Sequence, residues 1–151
     1  MKKEEILEFI KQMYQHHLSF HRLIGIQVND ISAERAEMQI SMRSDLVGNP
    51  VFQILHGGVT ATLLDSTGGM VAAANIINRL EDLSMENIQR RLSRLGTIDL
   101  RVDYLRPGRG EIFIASARII RQGNKVAVAR MEMHNGKGDE IALATATYLV
   151  G

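Results

Sequence analysis

The longest apolar segment of the chain lies at its middle and covers residues 56–77. A helix that is apolar on nearly all sides is typical of a buried helix. The pair Gly68-Gly69 weakens a helix interior, which indicates close approach of another backbone, from a sheet or from a second copy of the helix. One carboxylate, Asp65, interrupts the segment. A charge there is costly unless it is paired or used, so Asp65 is a candidate functional residue.

Before this helix, the pattern predicts one amphipathic helix and two strands. Apolar positions recur at helical spacing over residues 4–19, whereas residues 25–28 and 34–42 have the pattern of strands. Asn and Asp favour turns, so a turn is predicted at residues 29–32. Residues 45–55 are predicted to be a loop.

After the helix, the pattern changes to a charged connection and then to strands. Ser84 is a candidate cap for a short helix over residues 85–95. Short turns rich in Gly and Asn separate the last three strands, which predicts an antiparallel meander. The four predicted strands cover residues 97–105, 111–121, 125–134 and 141–150. This order predicts the α+β class, with one domain over residues 1–151 and a long helix wrapped by a curved antiparallel sheet.

Composition excludes several classes of function. Lys plus Arg number 18 against 17 for Asp plus Glu, so the basic excess typical of nucleic-acid binding is missing. The chain has no cysteine and therefore no disulfide or thiolate site. Its charged start has no signal-peptide core after it, and its apolar run from 68 to 77 is shorter than the roughly 20 residues that span a bilayer. We expect a soluble cytoplasmic protein with no membrane insertion.

Two polar clusters have both an ordinary and a functional explanation. His17 and His21 are four residues apart and could form a metal pair, but no third ligand accompanies them, and a polar helix end is favoured. A solvated surface is likewise favoured for the connection after the long helix. Its basic run, Arg90, Arg91 and Arg94, could still lie near a phosphorylated ligand.

The start of the long helix could stabilise an oxyanion. The first turn at His56-Gly57-Gly58 has backbone N–H groups without intrahelical acceptors, and the helix dipole adds partial positive charge. Asp65 lies eight residues beyond Gly57, which corresponds to about 12 Å along one helix. One carbonyl group cannot contact both within a chain. If both act together, they come from different chains, which predicts a homodimer with antiparallel long helices and two shared sites.

Four segments together resemble the hotdog-fold acyl-CoA thioesterases, most of all the PaaI-like branch named after the phenylacetate pathway. The resemblance covers residues 25–150, and bacterial YigI-like proteins share the lead-in Val47-Gly48-Asn49. The segments are Leu55-His56-Gly57-Gly58-Val59, Leu63-Leu64-Asp65, Gly96-Thr97-Ile98-Asp99-Leu100 and Asp103-Tyr104-Leu105-Arg106-Pro107.

The resemblance implies a role for each of five residues. Asp65 matches the carboxylate that acts as nucleophile or as general base, and Gly57 matches the residue whose N–H polarises the thioester carbonyl. His56 supports the loop or the thioester, and Asn49 orients the carbonyl or the water. Thr97 supports the carboxylate or the attacking water. Strand alternation places Thr97 opposite the apolar face, so it reaches the site only if the strand bends or bulges there.

Structural explanations for two of these residues stay open. Asp65 could be a buried acid whose partners are neighbours such as Ser66 or Thr62. Asn49 precedes Pro50, and this pair is also typical of a simple turn.

The resemblance also implies partners. The substrate is an acyl-CoA, with no metal or redox cofactor, and the assembly is a homodimer that pairs into a dimer of dimers. Candidate contacts to the coenzyme A phosphates are Arg106, Arg109, Arg121 and Lys125, although each also fits a solvated surface charge. Two other functions remain open. One is an acyl-thioester hydratase or dehydratase with a His56–Asp65 acid–base pair, and the other is a non-catalytic acyl-CoA-binding protein.

Overall fold

A computed structural model describes the whole chain, Met1 to Gly151. Its helices are α1 (Lys3–Gln12), α2 (Ser19–Ile24), α3 (Gly57–Arg79) and α4 (Met85–Leu92). Its strands are β1 (Gln27–Ile31), β2 (Ala36–Ser41), β3 (Val47–Asn49), β4 (Ile54–Leu55), β5 (Gly96–Tyr104), β6 (Ile112–Gln122), β7 (Val126–Asn135) and β8 (Glu140–Leu149). Six strands form one antiparallel sheet in the order β1-β2-β6-β7-β8-β5, and β3 pairs with β4 separately.

The long central helix and the meander are confirmed. α3 packs against the large sheet, and β6, β7 and β8 are joined in sequence as antiparallel neighbours. Large side chains from the helix and the sheet are fully buried together, among them Leu63, Met70, Ile76, Phe113 and Met131. This is the α+β hotdog arrangement that the sequence predicts.

Gly68 allows α3 to lie close to the sheet. A Cβ atom at this position would overlap the Tyr148 hydroxyl and lie 3.0 Å from the Met131 sulfur. At Gly69 the nearest atom, Tyr148 Cε1, would be 3.8 Å away, which is ordinary contact. The prediction of a close backbone approach is therefore wrong in one respect, because the approaching group is a side chain of β8.

The N-terminal helix is shorter than predicted, and a second helix follows it. α1 ends at Gln12, a wider π-helical turn covers Met13–His17, and Leu18 is extended before α2 begins. Gly25 ends α2 with a φ of +83°, and its N–H donates to the carbonyl oxygen of His21. A left-handed glycine is a common helix end, so Gly25 belongs to a helix terminus and not to the predicted strand.

The turn between the first two strands lies later than predicted. Asn29 and Asp30 are part of β1, which contains a bulge there, and the Asn29 amide donates to side chains of β2. The chain reverses at Ser32, whose hydroxyl accepts the N–H of Arg35 at 3.0 Å. Serine supplies the local hydrogen bond that was expected from Asn and Asp.

The predicted loop before α3 is partly regular. It contains a 3₁₀ turn at Ser44–Leu46 and the β3–β4 hairpin. After α3, the predicted cap at Ser84 is confirmed, since its hydroxyl accepts the N–H of Asn87 at 3.3 Å. α4 ends at Leu92, three residues before the predicted end. None of the helices combines the length and the apolar character needed to cross a bilayer.

The two glycines of α3 provide a matched test of the packing against β8. We expect Gly68→Ala to lower the free energy of unfolding by about 1–3 kcal/mol, because Tyr148 must move. Gly69→Ala should be neutral or stabilising by up to about 1 kcal/mol, because alanine is the better helix former. Chemical denaturation of both variants measures the difference. Equal stability of the two would contradict the packing described above.

Candidate active site

Asp65 is held by two neighbouring strands of the sheet, β5 and β8, in which Thr97 and Tyr148 are paired residues. Its Oδ1 accepts a hydrogen bond of 2.9 Å from the Thr97 hydroxyl of β5. The Tyr148 hydroxyl of β8 lies 3.0 Å from the Asp65 carbonyl oxygen and 3.2 Å from Oδ1, and shares its one proton between them. Oδ2 has no hydrogen-bond partner in the chain. One carboxylate oxygen is therefore fixed and the other is available to a ligand.

The partners proposed for a purely structural Asp65 are engaged elsewhere. The Thr62 hydroxyl donates to the carbonyl oxygen of Gly58 at 2.9 Å. Ser66 pairs with His21. The neighbours in the helix therefore leave the carboxylate to groups from the sheet.

Thr97 reaches the helix because β5 is irregular at its start. The register with β8 shifts between Thr97 and Asp99, which is the bulge that the sequence required. The bulge turns the Thr97 hydroxyl towards Asp65, while Leu100 and Val102 further along pack against the core.

Two tyrosines lie near the carboxylate, of which Tyr148 is fully buried and Tyr14 is partly buried. Burial, and then the charge of Asp65, raises the pKa of Tyr14 to about 12. The same two causes, in the same order, raise the pKa of Tyr148 far above its ordinary value. Both hydroxyls therefore keep their protons at neutral pH, and Tyr148 remains a hydrogen-bond donor. Sequence patterns missed both residues, because a tyrosine in an apolar stripe resembles ordinary core.

His21 links the N-terminal segment to α3. Its Nδ1 lies 2.8 Å from the carbonyl oxygen of Tyr14, and its Nε2 lies 2.9 Å from the Ser66 hydroxyl. A carbonyl only accepts, so Nδ1 carries the proton, and Nε2 of the neutral ring accepts from Ser66. Burial lowers the pKa of His21, partly offset by the bond to Tyr14. His21 is thus a buried structural contact and not an exposed polar helix end, and both of its ring nitrogens are occupied.

The start of α3 leaves one N–H group free. The N–H of Gly58 donates to Nδ1 of His56 at 2.8 Å, so the histidine ring caps the helix. The N–H of Gly57 has no acceptor in the chain. The Tyr104 hydroxyl donates to the carbonyl oxygen of Gly57 at 2.7 Å and holds this turn in place. The free donor is thus at the residue that the sequence indicated.

Asn49 has a structural role in this chain. Its Oδ1 accepts the N–H groups of Val51 at 3.0 Å and Phe52 at 3.2 Å, as in an Asx turn. Its Nδ2 has no partner. The side-chain oxygen stabilises the β3–β4 turn, and the amide N–H groups remain available.

The four candidate phosphate contacts do not converge within one chain. Arg106 lines a cavity of about 380 Å³ together with Gly57. The Arg109 guanidinium lies 5.7 Å from the centre of the Phe52 ring. Arg121 and Lys125 lie at the other end of β6, roughly 30 Å away at the rise of a strand.

Comparisons with known proteins agree with this architecture. A sequence model of the Thioesterase superfamily matches residues 52–142. The chain is 47% identical over 148 residues to the medium/long-chain acyl-CoA thioesterase YigI of Escherichia coli K12, covering 98% of this chain and 96% of that protein. It is 45% identical to YigI of Salmonella typhimurium, with the same coverage.

The chain belongs to the thioesterase superfamily. A crystal structure of a Shewanella oneidensis protein related to this superfamily superimposes with a TM-score of 0.95 at 47% identity, covering 99% of this chain and 97% of that one. The resemblance found in the motif segments is therefore confirmed at the level of the family and the fold. No three His, Asp or Glu side chains converge as a metal site would require.

The buried His21 predicts a pH dependence of stability. Its pKa is lower in the folded chain than the ordinary 6.5, so the unfolded chain binds this proton at higher pH. The free energy of unfolding should therefore fall as the pH drops below about 6.5 towards the folded pKa. Denaturation of the wild type between about pH 7.5 and pH 5 measures the slope.

Single substitutions distinguish the contribution of His21 to this pH dependence from those of the other histidines. His21→Gln should flatten this slope, whereas His17→Gln, at an exposed position, should retain it. A slope that His21→Gln leaves unchanged would assign the pH dependence to other groups.

Proposed function

We propose that this protein hydrolyses acyl-CoA thioesters to the free carboxylic acid and coenzyme A. The observation that carries the proposal is the Asp65 carboxylate, with Oδ1 held by Thr97 and Tyr148 and Oδ2 free. The E. coli and Salmonella relatives, named as medium/long-chain acyl-CoA thioesterases, support this reaction and this chain-length class.

The geometry supports two ways for Asp65 to begin the reaction. Oδ2 takes a proton from water, and the water oxygen attacks the thioester carbon, or Oδ2 attacks that carbon directly. In both cases the carbonyl oxygen gains negative charge, and the free N–H of Gly57 stabilises it. The carbon–sulfur bond then breaks, and coenzyme A leaves as the thiolate. The direct route requires water to cleave the acyl–Asp65 anhydride afterwards.

This chemistry requires a second copy of the chain. Asp65 and Gly57 lie on the same helix, about 12 Å apart at the helical rise. Gly58, Ala61, Thr62 and Asp65 share one helix face, and none of them is buried. In the proposed dimer, an antiparallel α3 of the partner packs on this face, so that the Gly57 of one chain lies near the Asp65 of the other.

The edge of the sheet supports the same homodimer. β5 pairs only with β8, so its other edge has free backbone groups. All but two of its residues are exposed, with Ile98 at 55% of its maximal surface. The unpaired backbone groups of an exposed edge strand are a template for pairing with another copy. The dimer of dimers stays a prediction.

Arg106 is the best supported of the candidate phosphate contacts, because it shares a cavity with Gly57. Arg121 and Lys125 could serve the same ligand only across a subunit boundary, since they lie at the far end of the strands. The cytoplasmic location and the absence of a cofactor stay predictions.

Asp65→Asn tests the reaction. It removes the charge and keeps the shape, and we expect kcat to fall by about 10²–10⁴ on acyl-CoAs that the wild type cleaves. Asp30→Asn, at an exposed position, should retain activity. An equally active Asp65→Asn would refute the role of Asp65. A wild type that binds acyl-CoA without cleaving it would favour the non-catalytic function.

Gly57→Pro tests the free N–H. Proline is well accepted at the first position of a helix, and His56 before it is already extended, with ψ of 132°. Gly57→Ala is the matched control, because both variants place a Cβ about 3.3 Å from Tyr104 but alanine keeps the N–H. We expect Gly57→Pro to lower kcat by about 10²–10³ relative to Gly57→Ala.

Mixing Gly57→Pro with Asp65→Asn tests the shared site directly. A hybrid dimer has one site with both residues intact and one with both altered. After the two variants are refolded together, each hybrid dimer should therefore have up to half of the activity of a wild-type dimer. No recovery, with hybrids shown to form, would mean that each chain completes its own site.

A further inference from the structure

An apolar groove runs between α1 and α4. It has a volume of about 490 Å³, and eight of its ten lining residues are hydrophobic. The two polar residues are Gln89 and Ser93, so no charged side chain lines it. Six of its apolar residues are Ile6, Phe9, Ile10, Met13, Ile88 and Leu92.

One end of the groove continues along the chain into residues that lie near Asp65. In the π-helical turn after α1, the groove residue Met13 precedes Tyr14, whose pKa responds to the charge of Asp65. After α4, the groove residue Ser93 is four positions before Thr97, which donates to the Asp65 carboxylate. Both walls therefore continue, within one to four residues, into segments near the candidate active site.

The other end lies near the C-terminus of α3. Lys3, at the start of α1, donates to the carbonyl oxygen of Asn78, whereas Tyr14 lies beside Gly69. α1 is thus antiparallel to α3. The groove residue Met85 begins α4, about 12 Å from Ser93 at the helical rise. The groove therefore extends along α1 and α4, from the segments near Asp65 towards the C-terminus of α3.

Its exposed apolar side chains have no cover within the chain. Phe9 is 62% exposed, Met1 62% and Met85 47%. The volume is in the range of small-molecule pockets, roughly 300–1,000 Å³. Methionine side chains adapt to flexible ligands. A channel with apolar walls and no charge is suited to a hydrocarbon chain and lacks the polar groups that would pair with a peptide backbone or a nucleotide.

We propose that the groove between α1 and α4 binds the acyl chain of the thioester substrate, with the thioester end at Asp65 and the methyl end towards Met85. This assignment rests on the proposed hydrolysis for its substrate. The N-terminal helix α1 then helps to determine which acyl-chain lengths the protein prefers. Each methylene that enters the groove should lower KM about fourfold, until the chain reaches the far end.

Met85→Trp and Glu86→Trp test the far end of the groove. Both positions are exposed residues in the first turn of α4, but only Met85 lines the groove. On saturated acyl-CoAs of increasing length, Met85→Trp should raise KM for the longest cleaved chains about tenfold or more, and leave the shortest unchanged. Glu86→Trp should keep the wild-type profile.

A fluorescence measurement tests occupancy without turnover. The chain has no tryptophan, so Phe9→Trp introduces a single tryptophan, at a position in the groove, whose emission is read selectively. In the Asp65→Asn background, a medium-chain acyl-CoA should shift its emission to the blue, whereas coenzyme A alone should not. Glu8→Trp, one residue away and outside the groove lining, should show no shift.

The outcomes separate this proposal from the proposed function. An active wild type whose chain-length profile Met85→Trp leaves unchanged would place the acyl chain elsewhere and overturn the proposal. A change in subunit number in Met85→Trp without a change in that profile would make the groove an interface between copies, which also overturns it. An inactive wild type with a blue shift in Phe9→Trp would refute hydrolysis and retain the groove as the acyl-binding site.

Discussion

The contact between Tyr148 and the middle of α3 determines how the charged residue of this helix is accommodated. The Tyr148 hydroxyl needs the space that any side chain at position 68 would fill. In that space it reaches both the main chain and the carboxylate of Asp65. One tyrosine thus joins helix and sheet and supplies a donor to the only acid in α3. An unpaired carboxylate in this setting would be strongly destabilising.

The N-terminal segment forms the second support of the site. The His21–Ser66 hydrogen bond ties this segment to α3, and Tyr14 lies close enough to Asp65 for its charge to raise the Tyr14 pKa. The same segment forms one wall of the apolar groove. In the proposed function, one helical segment therefore both positions the carboxylate environment and receives the acyl chain.

Because Gly57 and Asp65 are separated by two turns of one helix, the proposed site needs one of these residues from each of two chains. Gly57 offers its free N–H at the start of α3, and Asp65 lies two turns further along. An uncovered face of α3 and an exposed edge at β5 lie on the part of the molecule where a partner is needed. The N-terminal half of α3, residues 57–66, is only partly buried in one chain. In the proposed dimer, the partner's α3 covers it.

The sequence alone determined the elements whose patterns are local. The apolar run of α3, the meander of the last three strands, the helix start at His56-Gly57-Gly58 and the cap at Ser84 were predictable, because periodicity, glycine turns and capping depend on neighbouring residues. The motif segments also identified the family, and they singled out Asp65 and Gly57.

Only the tertiary structure showed that Tyr14 and Tyr148 lie beside Asp65, and how Thr97, which the motif segments indicated, reaches it. Tyr148 is 83 residues away and Thr97 is 32 residues away, and Thr97 reaches Asp65 through a bulge that no periodicity reveals. The left-handed Gly25 ends α2, and the Ser32 hydroxyl forms the turn after β1, so β1 begins and ends later than the sequence predicts. In both places one local hydrogen bond outweighs the weak strand and turn propensities of the neighbouring residues. The contacts that hold the carboxylate link residues distant in the chain, and only packing brings such residues together.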